Sequence, residues 1–348
     1  MNKQSLQKFP DALLTWYDAN KRLLPFRLHP DPYHIWVSEI MLQQTRMETV
    51  LPYFERFIQA VPSIEALANI SDDKLLKLWQ GLGYYSRAKN LKKAAVILCE
   101  QYGGQLPADT NELIKLPGIG PYTAGAIASI AYGKKIAAID GNVLRVVTRL
   151  TANKGDIADK KTIAAVEKFV LKNMPEHRCG DFNQAMMEFG ALICLPNTLP
   201  KCSECPLSFC CKAYINNLLD IIPVKTAKPN RKIEKKTVFI FAFEDEYALQ
   251  KRPASGLLSS LFEFYNIEGH LSEAECKHFF IQQGIQADSI RPLPKAKHIF
   301  THLEWHMQGY FVSLKHKPQC VTFVWAKKEE IQKIYSIPSA FKAYLQNL

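Results

Sequence analysis

Apolar residues recur at three- and four-residue spacing up to about residue 222, and glycine or proline separates the segments. This spacing predicts a succession of amphipathic helices over the first part of the chain. The clearest apolar sets are Leu75, Leu78, Trp79 and Leu82, then Leu91, Ala94, Ala95 and Leu98, then Val143, Leu144, Val146, Val147 and Leu150.

A different pattern begins after Lys236. The segments TVFIFAFE, GYFVSLKH and VTFVWAK are rich in β-branched and aromatic residues, which predicts an α+β region with an antiparallel sheet. Between the two regions lies PVKTAKPNRKIEKK, which has six Lys or Arg, two prolines and no apolar period. We therefore predict a helical region over 1–222, a basic linker over 223–236 and an α+β domain over 237–348.

Composition narrows the class of protein. The chain has 348 residues, 47% hydrophobic and 22% charged, so we expect roughly two folded domains and exclude a small hormone or a disordered chain. The formal net charge of +11 indicates a polyanionic partner, nucleic acid ahead of an acidic membrane. No apolar stretch approaches about 18 residues and no secretory signal opens the chain, which predicts a cytoplasmic protein without a membrane segment.

The cysteines are concentrated between residues 194 and 211. An intracellular chain keeps its thiols reduced, so this cluster indicates a metal site rather than disulfides. Cys194, Cys202, Cys205 and Cys211 have the spacing C-x7-C-x2-C-x5-C, which suits either a zinc ion or an iron–sulfur cluster. Cys210, beside Cys211, is an alternative fourth ligand.

The sequence LPGIGP, residues 116–121, precedes a run of small apolar residues. Its two glycines allow a sharp turn, and Pro121 suits the first position of a helix. Backbone amides at such a helix start bind phosphate, so Gly118 and Gly120 predict a helix-hairpin-helix contact with the DNA backbone. The alternative is a plain turn between packed helices.

Two carboxyl groups stand out along the helical region. Glu39 lies in IWVSEIML without a cation three or four residues away, so burial is expected to raise its pKa and make it a general acid. Alternatively, Glu39 reaches water or an ion pair from another segment. Asp140 follows an apolar run and precedes an amphipathic helix, so it is either that helix's N-cap or a fixed anion that stabilises a cationic sugar.

Further motifs carry a resemblance that covers nearly the whole chain. They are LPFR (24–27), DPY (31–33), WVSEIMLQQT (36–45), GLGYYSR (81–87) and IDGNV (139–143). With the hairpin and the cysteines, they resemble the helix-hairpin-helix DNA glycosylases related to endonuclease III, and among them the MutY-type adenine DNA glycosylases.

This resemblance implies a multidomain, mostly α-helical glycosylase fold with a C-terminal α+β Nudix-like domain. The helical part would combine a six-helix barrel with an iron–sulfur cluster domain formed by the N-terminus and about residues 135–222. It also implies a [4Fe-4S] cluster held by the four cysteines named above.

The family's reaction is excision of adenine mispaired with 8-oxoguanine or guanine in duplex DNA. By analogy, Glu39 protonates N7 of an extruded adenine and Asp140 stabilises the oxocarbenium ion, while Tyr122 and Asn142 orient them. Lyase-type relatives carry a Schiff-base lysine directly after the hairpin, where this chain has Tyr122. The resemblance therefore implies base removal without coupled strand cleavage.

The resemblance also assigns contacts with bases, for each of which ordinary packing is the alternative. Residues implied to wedge into the duplex and hold the opposite, damaged base are Gln44, Thr45, Leu82 and Tyr84. Arg27 and Gln184 are implied to contact the flipped adenine.

Residues 237–348 resemble the Nudix-like domain with which these glycosylases read 8-oxoguanine. The carriers are GLL (256–258), LFEF (261–264) and Phe300-Thr301-His302, which matches the family's Phe-Ser-His loop. The segment GHLSEAE, residues 269–275, lacks the Arg-Glu pair and clustered glutamates with which a Nudix hydrolase binds magnesium. A recognition domain without hydrolase activity is therefore predicted.

The chain departs from the family pattern at four points. Phe26 and Phe262 stand where tryptophan is usual, Thr301 replaces serine, and the first cysteine gap is seven residues instead of six. We predict a monomeric DNA glycosylase that binds no membrane. The alternatives are an endonuclease III-like enzyme acting on oxidised pyrimidines, a catalytically silent damage-binding module and a Nudix nucleotide hydrolase.

Overall fold

A computed structural model describes residues 8–28, 31–196, 198–226, 230–319 and 322–348. The chain divides into two compact units, each built from two separate stretches. The first unit combines Met1–Asn69 with Lys89–Ala227, and the second combines Ile70–Ala88 with Lys228–Leu348. This division differs from the predicted segments 1–222, 223–236 and 237–348, which stay a prediction.

The predicted succession of helices is confirmed. The helices before residue 222 are α1 (Phe9–Asn20), α2 (Pro25–Leu28), α3 (Pro32–Leu42), α4 (Met47–Ala60), α5 (Ile64–Asn69), α6 (Asp72–Leu78), α7 (Ser86–Gln101), α8 (Thr110–Lys115), α9 (Pro121–Tyr132), α10 (Gly141–Thr151), α11 (Lys160–Asn173), α12 (Cys179–Leu192) and α13 (Lys212–Ile215), with a 3-10 turn at Ser208–Cys210.

Capping residues explain where the helices around the site begin. The Asp31 side chain accepts a hydrogen bond from the His34 amide and so caps α3, which starts with a proline. α9 begins with Pro121, as predicted, and ends at Gly133, whose φ of 65° requires a residue that tolerates the left-handed region. A core that includes Phe9, Phe182 and Phe189 packs α1, α10, α11 and α12 together.

The second unit contains a mixed sheet. Its strands are β1 (Lys232–Phe243), β2 (Glu246–Lys251), β3 (Phe262–Glu263), β4 (Tyr265–Glu268), β5 (Ala287–Ile299), β6 (Leu303–Leu314) and β7 (Val324–Lys327). They pair in the order β3-β2-β1-β6-β5, while β4 pairs with β1 and β7 with β2. The helices of this part are α14 (Glu273–Gln282), α15 (Lys328–Lys333) and α16 (Lys342–Leu345), with a 3-10 turn at Ser339–Phe341.

β1 is buried on both faces, which explains its continuous apolar run. Val238 and Ile240 belong to a core cluster with Trp305 and Phe341, whereas Phe239 belongs to a second cluster on the other face, with α14. A strand covered on both faces needs no alternation of polar and apolar residues.

The expectation of an antiparallel sheet is wrong for the central pair of strands. β1 and β6 run parallel, with Lys232 opposite Leu303 and Ala242 opposite Ser313. A parallel pair needs a long crossover, which here includes β4, α14 and β5. Strand direction depends on this connection and leaves no mark in the apolar pattern of either strand.

The predicted linker also needs a correction. Lys232–Lys236 form the start of β1 and pair with Leu303–Met307, so the ordered strand begins inside the predicted linker. Composition missed it because backbone pairing does not depend on side-chain polarity at an exposed strand end. Residues 227–229 of the predicted linker lie outside the described residues. Among the described helices, none is long and apolar enough to span a bilayer.

Candidate active site

A cavity of about 770 Å³ in the first unit brings together all of the predicted catalytic residues and some of the predicted base-contacting residues. Those that line it are Arg27, Glu39, Gln44, Thr45, Tyr122, Asp140, Asn142 and Gln184. They come from α2, α3, α9, α10 and α12 and from the loops beside them. The two carboxyl groups singled out by the sequence therefore face one shared space.

Glu39 lies on α3, and its side chain is almost completely buried. It is 7% exposed, and the Tyr122 hydroxyl donates a hydrogen bond of 2.6 Å to its Oε2. Burial raises the pKa of Glu39 to about 7; the hydrogen bond from Tyr122 lowers it, and the nearby charge of Asp140 raises it. The predicted rise of this pKa by desolvation is confirmed.

Asp140 occupies the N-cap position that the sequence offered as one alternative, and its side chain also faces the cavity. Its Oδ1 accepts a 2.7 Å hydrogen bond from the Val143 amide, so it caps α10. Its Oδ2 accepts a 2.7 Å hydrogen bond from Asn142 Nδ2, while the residue still lines the cavity. Burial raises the pKa of Asp140, and these hydrogen bonds oppose that rise.

Arg145 supports Asp140 through Asn142, and sequence reasoning missed it. Arg145 Nη2 donates to Asn142 Oδ1 and to the Gly190 carbonyl, both at 2.8 Å, and its Nε donates to the Cys194 carbonyl at 2.8 Å. This orients the Asn142 amide so that its Nδ2 points at Asp140. The available signal was a basic residue one turn after Asn142 on an amphipathic helix.

Glu188 organises the wall of the cavity next to Gln184, and it was also missed. Its Oε1 accepts a 2.6 Å hydrogen bond from Arg22 Nε, and its Oε2 accepts a 2.9 Å hydrogen bond from Arg27 Nη2. Among the described residues, Arg27 Nη1 is buried without a hydrogen-bond acceptor. A donor of this kind is available to a bound molecule.

Gln44 and Thr45 form the turn between α3 and α4 at the rim of the cavity. Gln44 is exposed and has a φ of 58°, a left-handed conformation that is costly for a residue other than glycine. Such strain is typical of side chains that a fold presents to a ligand.

The helix-hairpin-helix is present as α8, a tight turn and α9. Gly118 has a φ of 82°, and a Cβ there would lie 2.9 Å from Asn90 Cβ, so both the backbone and the space require glycine. Gly120 precedes α9 in an extended conformation, with no side chain capping the helix start. The amides of this first turn therefore suit an anion.

Gln44 and Thr45 lie in the first unit, whereas the other residues implied to read the opposite base lie in the second unit. Tyr84 OH is 3.1 Å from Thr301 Oγ1, and the side chain of Tyr84 is 45% exposed. Phe300 packs edge-on against Trp305, and His302 is exposed. Leu82 is only 5% exposed, which agrees with the packing alternative given for this position, and its role as a wedge stays a prediction.

All four predicted cysteine ligands line one cavity. These are Cys194, Cys202, Cys205 and Cys211, whereas Cys210 is 2% exposed and donates from Sγ to the Leu207 carbonyl. Arg149 Nη1 donates a hydrogen bond to Cys194 Sγ at 3.3 Å. Burial, with a smaller contribution from the neighbouring cysteines, raises the pKa of Cys205 to about 12, and a backbone hydrogen bond opposes the rise.

Among the described residues, no group of three or more His, Cys, Asp or Glu converges on the position of a single ion. A cluster with several irons needs a different arrangement, with one thiolate for each iron around a shared space. Four cysteines around one cavity, with a cation beside Cys194, provide this donor set.

Two family models match the chain. Residues 37–172 match the model described as HhH-GPD superfamily base excision DNA repair protein. Residues 237–347 match the NUDIX domain model. The first match contains Glu39, Tyr122, Asp140 and the hairpin, and the second contains Thr301.

Similar proteins extend these matches over most of the chain. An adenine DNA glycosylase of Buchnera aphidicola subsp. Baizongia pistaciae is 36% identical over 87% of this chain and 86% of its own length. The adenine DNA glycosylase of Schizosaccharomyces pombe is 31% identical over 97% of this chain and 89% of its own. The solved structure of a thermostable thymine-DNA glycosylase superposes with a TM-score of 0.57 at 30% identity, over 61% of this chain and 98% of its own.

Proposed function

Because the chain belongs to the family of adenine DNA glycosylases, we propose that it excises adenine paired with 8-oxoguanine or guanine in double-stranded DNA. The family belongs to base excision repair and hydrolyses N-glycosidic bonds. The observation that carries this proposal is the shared cavity of Glu39 and Asp140, in which one carboxyl has a pKa of about 7.

The two carboxyl groups divide the chemistry between them. Glu39 in its protonated form transfers its proton to N7 of the extruded adenine, which makes the base a better leaving group. The bond between N9 and the sugar carbon C1′ breaks, and its electrons leave with the base. The Asp140 carboxylate, fixed by the Val143 amide and Asn142, stabilises the oxocarbenium ion until water adds to C1′.

Arg27 and Gln184, which line the same cavity, would recognise the adenine. The unpaired Arg27 Nη1 and the amide of Gln184 line the space into which the adenine would be extruded. Gln44 and Thr45 at the rim would wedge into the duplex and hold the opposite base. Gly118 and Gly120 would bind the phosphate backbone beside it.

The second unit would read the base opposite the adenine, through Tyr84, Phe300, Thr301 and His302. Its segment 269–275 is unsuited to Nudix hydrolysis, because Glu275 caps α14 with Ser272 and Glu273 pairs with Lys277. Both carboxylates therefore support the helix.

Cys194, Cys202, Cys205 and Cys211 would hold a [4Fe-4S] cluster, which would tie the loop between α12 and α13 into one rigid piece. Arg149, which contacts both Cys194 Sγ and the Leu195 carbonyl, would steady the loop from α10. We also propose that the protein acts on DNA as a monomer. Its place in the cell would be the cytoplasm, at the nucleoid if the cell is bacterial.

The product tests this function. A duplex with one adenine opposite 8-oxoguanine, incubated with the protein, should release free adenine and break only after alkali treatment. Neither strand cleavage without alkali nor a borohydride-trapped protein–DNA adduct is expected, since Tyr122 offers no amine. Trapping in good yield, or excision of an oxidised pyrimidine in place of adenine, would contradict the proposal.

A further inference from the structure

Tyr84 lies in the turn that follows helix α6. Side chains of this helix and turn donate hydrogen bonds to backbone carbonyls of the segment 331–337, and the function proposed above does not use these contacts. We propose that Lys77 and Gln80 are positioning residues, which fix Tyr84 beside Thr301 for contact with the base opposite the adenine. This inference rests on the function proposed above and adds to it the residues on which selection of the opposite base depends.

Helix α6 and the turn after it are attached to the segment 331–337. Lys77 Nζ donates to the Tyr335 carbonyl at 3.0 Å and to the Ile331 carbonyl at 3.5 Å. Gln80 Nε2 donates to the Ile337 carbonyl at 3.0 Å. Carbonyls at the end of a short helix such as α15 lack partners within the helix, so an ammonium group is a favourable donor for them.

Burial strengthens this attachment. Lys77 is half-buried, and the loss of solvent lowers the pKa of its ammonium group. A charged donor makes stronger hydrogen bonds than a neutral one where water is largely excluded. Lys74, on the same helix, is exposed, and so it provides a matched comparison.

Hydrogen bonds and ring contacts connect the end of α6 rigidly to Tyr84. Trp79 Nε1 donates to the Gly83 carbonyl at 3.1 Å, and Arg87 Nη2 donates to the carbonyls of Leu82 and Gly83 at 3.2 and 3.1 Å. The Arg87 guanidinium also lies 5.5 Å from the Trp79 ring centre and 5.3 Å from that of Tyr84. A displacement of α6 would therefore carry the turn with it.

The backbone of Tyr84 has an unfavourable conformation. Its φ of 47° is in the left-handed region, which costs free energy for a side chain of this size. Such a conformation persists only where the surrounding contacts determine it. The Arg87 guanidinium and the Thr301 hydroxyl contact Tyr84 directly, and the attachment at Lys77 and Gln80 acts on it through α6 and the turn.

Hydrogen exchange tests the positioning without relying on activity. In Lys77→Met, the amides of residues 79–87 should exchange about tenfold faster than in the wild type, because the anchor of the turn is lost. Lys74→Met should leave the same amides unchanged, and Lys77→Arg, which retains a charged donor, should stay near the wild type. Unchanged protection in Lys77→Met would overturn the inference.

Single-turnover excision then tests the consequence. Lys77→Met should lower the ratio of the rates opposite 8-oxoguanine and opposite guanine by about tenfold, and Thr301→Val should add little to that loss, since both act at one site. Equal losses on both duplexes, or fully additive losses, would reduce Lys77 to a general stabiliser and overturn the inference. A wild-type protein that excises adenine from neither duplex would contradict the proposed function, and hydrogen exchange would still decide the role of Lys77.

Discussion

Tyr122 acts on Glu39 in two ways. Its hydroxyl fixes the carboxyl with a hydrogen bond of 2.6 Å, and the same bond stabilises the charged form and lowers the pKa. Burial outweighs this effect and brings the pKa of Glu39 to about 7. A general acid works best when its pKa lies near the working pH, so the balance between burial and this one hydrogen bond sets the reactivity of the site.

The pH dependence of excision should follow from this balance. Only protonated Glu39 donates a proton, so the single-turnover rate is expected to fall as pH rises above about 7, with a limiting slope of about −1 on a logarithmic plot. Tyr122→Phe removes a contact that lowers the pKa. The falling limb should therefore shift to higher pH, although the maximal rate drops because the carboxyl is less well oriented.

Rate profiles between about pH 5 and about pH 9 would check this expectation. Tyr33→Phe is the matched control, since the Tyr33 hydroxyl donates to the Val61 carbonyl and does not contact Glu39. A profile of Tyr122→Phe that falls at the same pH as the wild type would contradict the coupling between the two residues.

At the scale of elements, α9 helps to position both carboxyl groups of the proposed catalytic pair, Glu39 and Asp140. Tyr122 lies at its start, and one turn later Gly125 lies against the chain that leads to Asp140. A Cβ on Gly125 would be 2.4 Å from the Ala137 carbonyl oxygen, so helix and loop pack backbone to backbone. This close approach brings the Tyr122 end of α9 and the Asp140 loop to the same cavity.

Substitution of Gly125 by alanine tests this close packing, because the packing decides whether the free energy of unfolding rises or falls. In an open helix, Gly→Ala stabilises by about 1 kcal/mol. Gly125→Ala is expected to destabilise by about 1–3 kcal/mol instead, because the loop at Ala137 must move. Urea unfolding measures the difference, with Gly141→Ala as the control, because Gly141 lies in the first turn of α10 and nothing lies within 4 Å of its added Cβ. A more stable Gly125→Ala protein would refute the tight packing.

The cysteine loop after α12 makes a prediction of its own. Cys211 lines the cavity shared by the other three ligands, whereas Cys210 points elsewhere, toward the Leu207 carbonyl. Cys211→Ser protein should therefore lose most of its iron and visible absorption, and Cys210→Ser should keep both. The reverse result would exchange the two assignments, and a colourless wild type that contains zinc would remove the iron–sulfur cluster from the proposal.

For the molecule as a whole, the sequence predicts those features that depend on neighbours along the chain. Pro121 starts α9 and Asp140 caps α10, because both effects operate within one turn. Glu39 was expected to be buried from its immediate apolar neighbours alone, and it is. The shared cavity of the two carboxyls came from a different source, namely the resemblance to a family of known chemistry.

Contacts between distant parts of the chain were not predictable in this way. Glu188 binds Arg22 across 166 positions, and Arg145 binds the Cys194 carbonyl across 49, so no local pattern marks either pair. The parallel pairing of β1 and β6 and the attachment of Lys77 to the segment 331–337 depend in the same way on the path of the whole chain. At Leu82 the motif left a wedge and ordinary packing open, and tertiary contacts that the motif does not encode bury the side chain.

The most direct test of the catalytic assignment is the single-turnover rate of adenine release opposite 8-oxoguanine, compared between the wild type and Glu39→Gln. Glutamine keeps the size of the side chain but has no proton to transfer to N7. The rate should fall by at least about 10²-fold, with DNA affinity unchanged, because general acid catalysis contributes about 10² to 10⁴ in rate. A Glu39→Gln rate within about twofold of the wild type would show that Glu39 is not the proton donor.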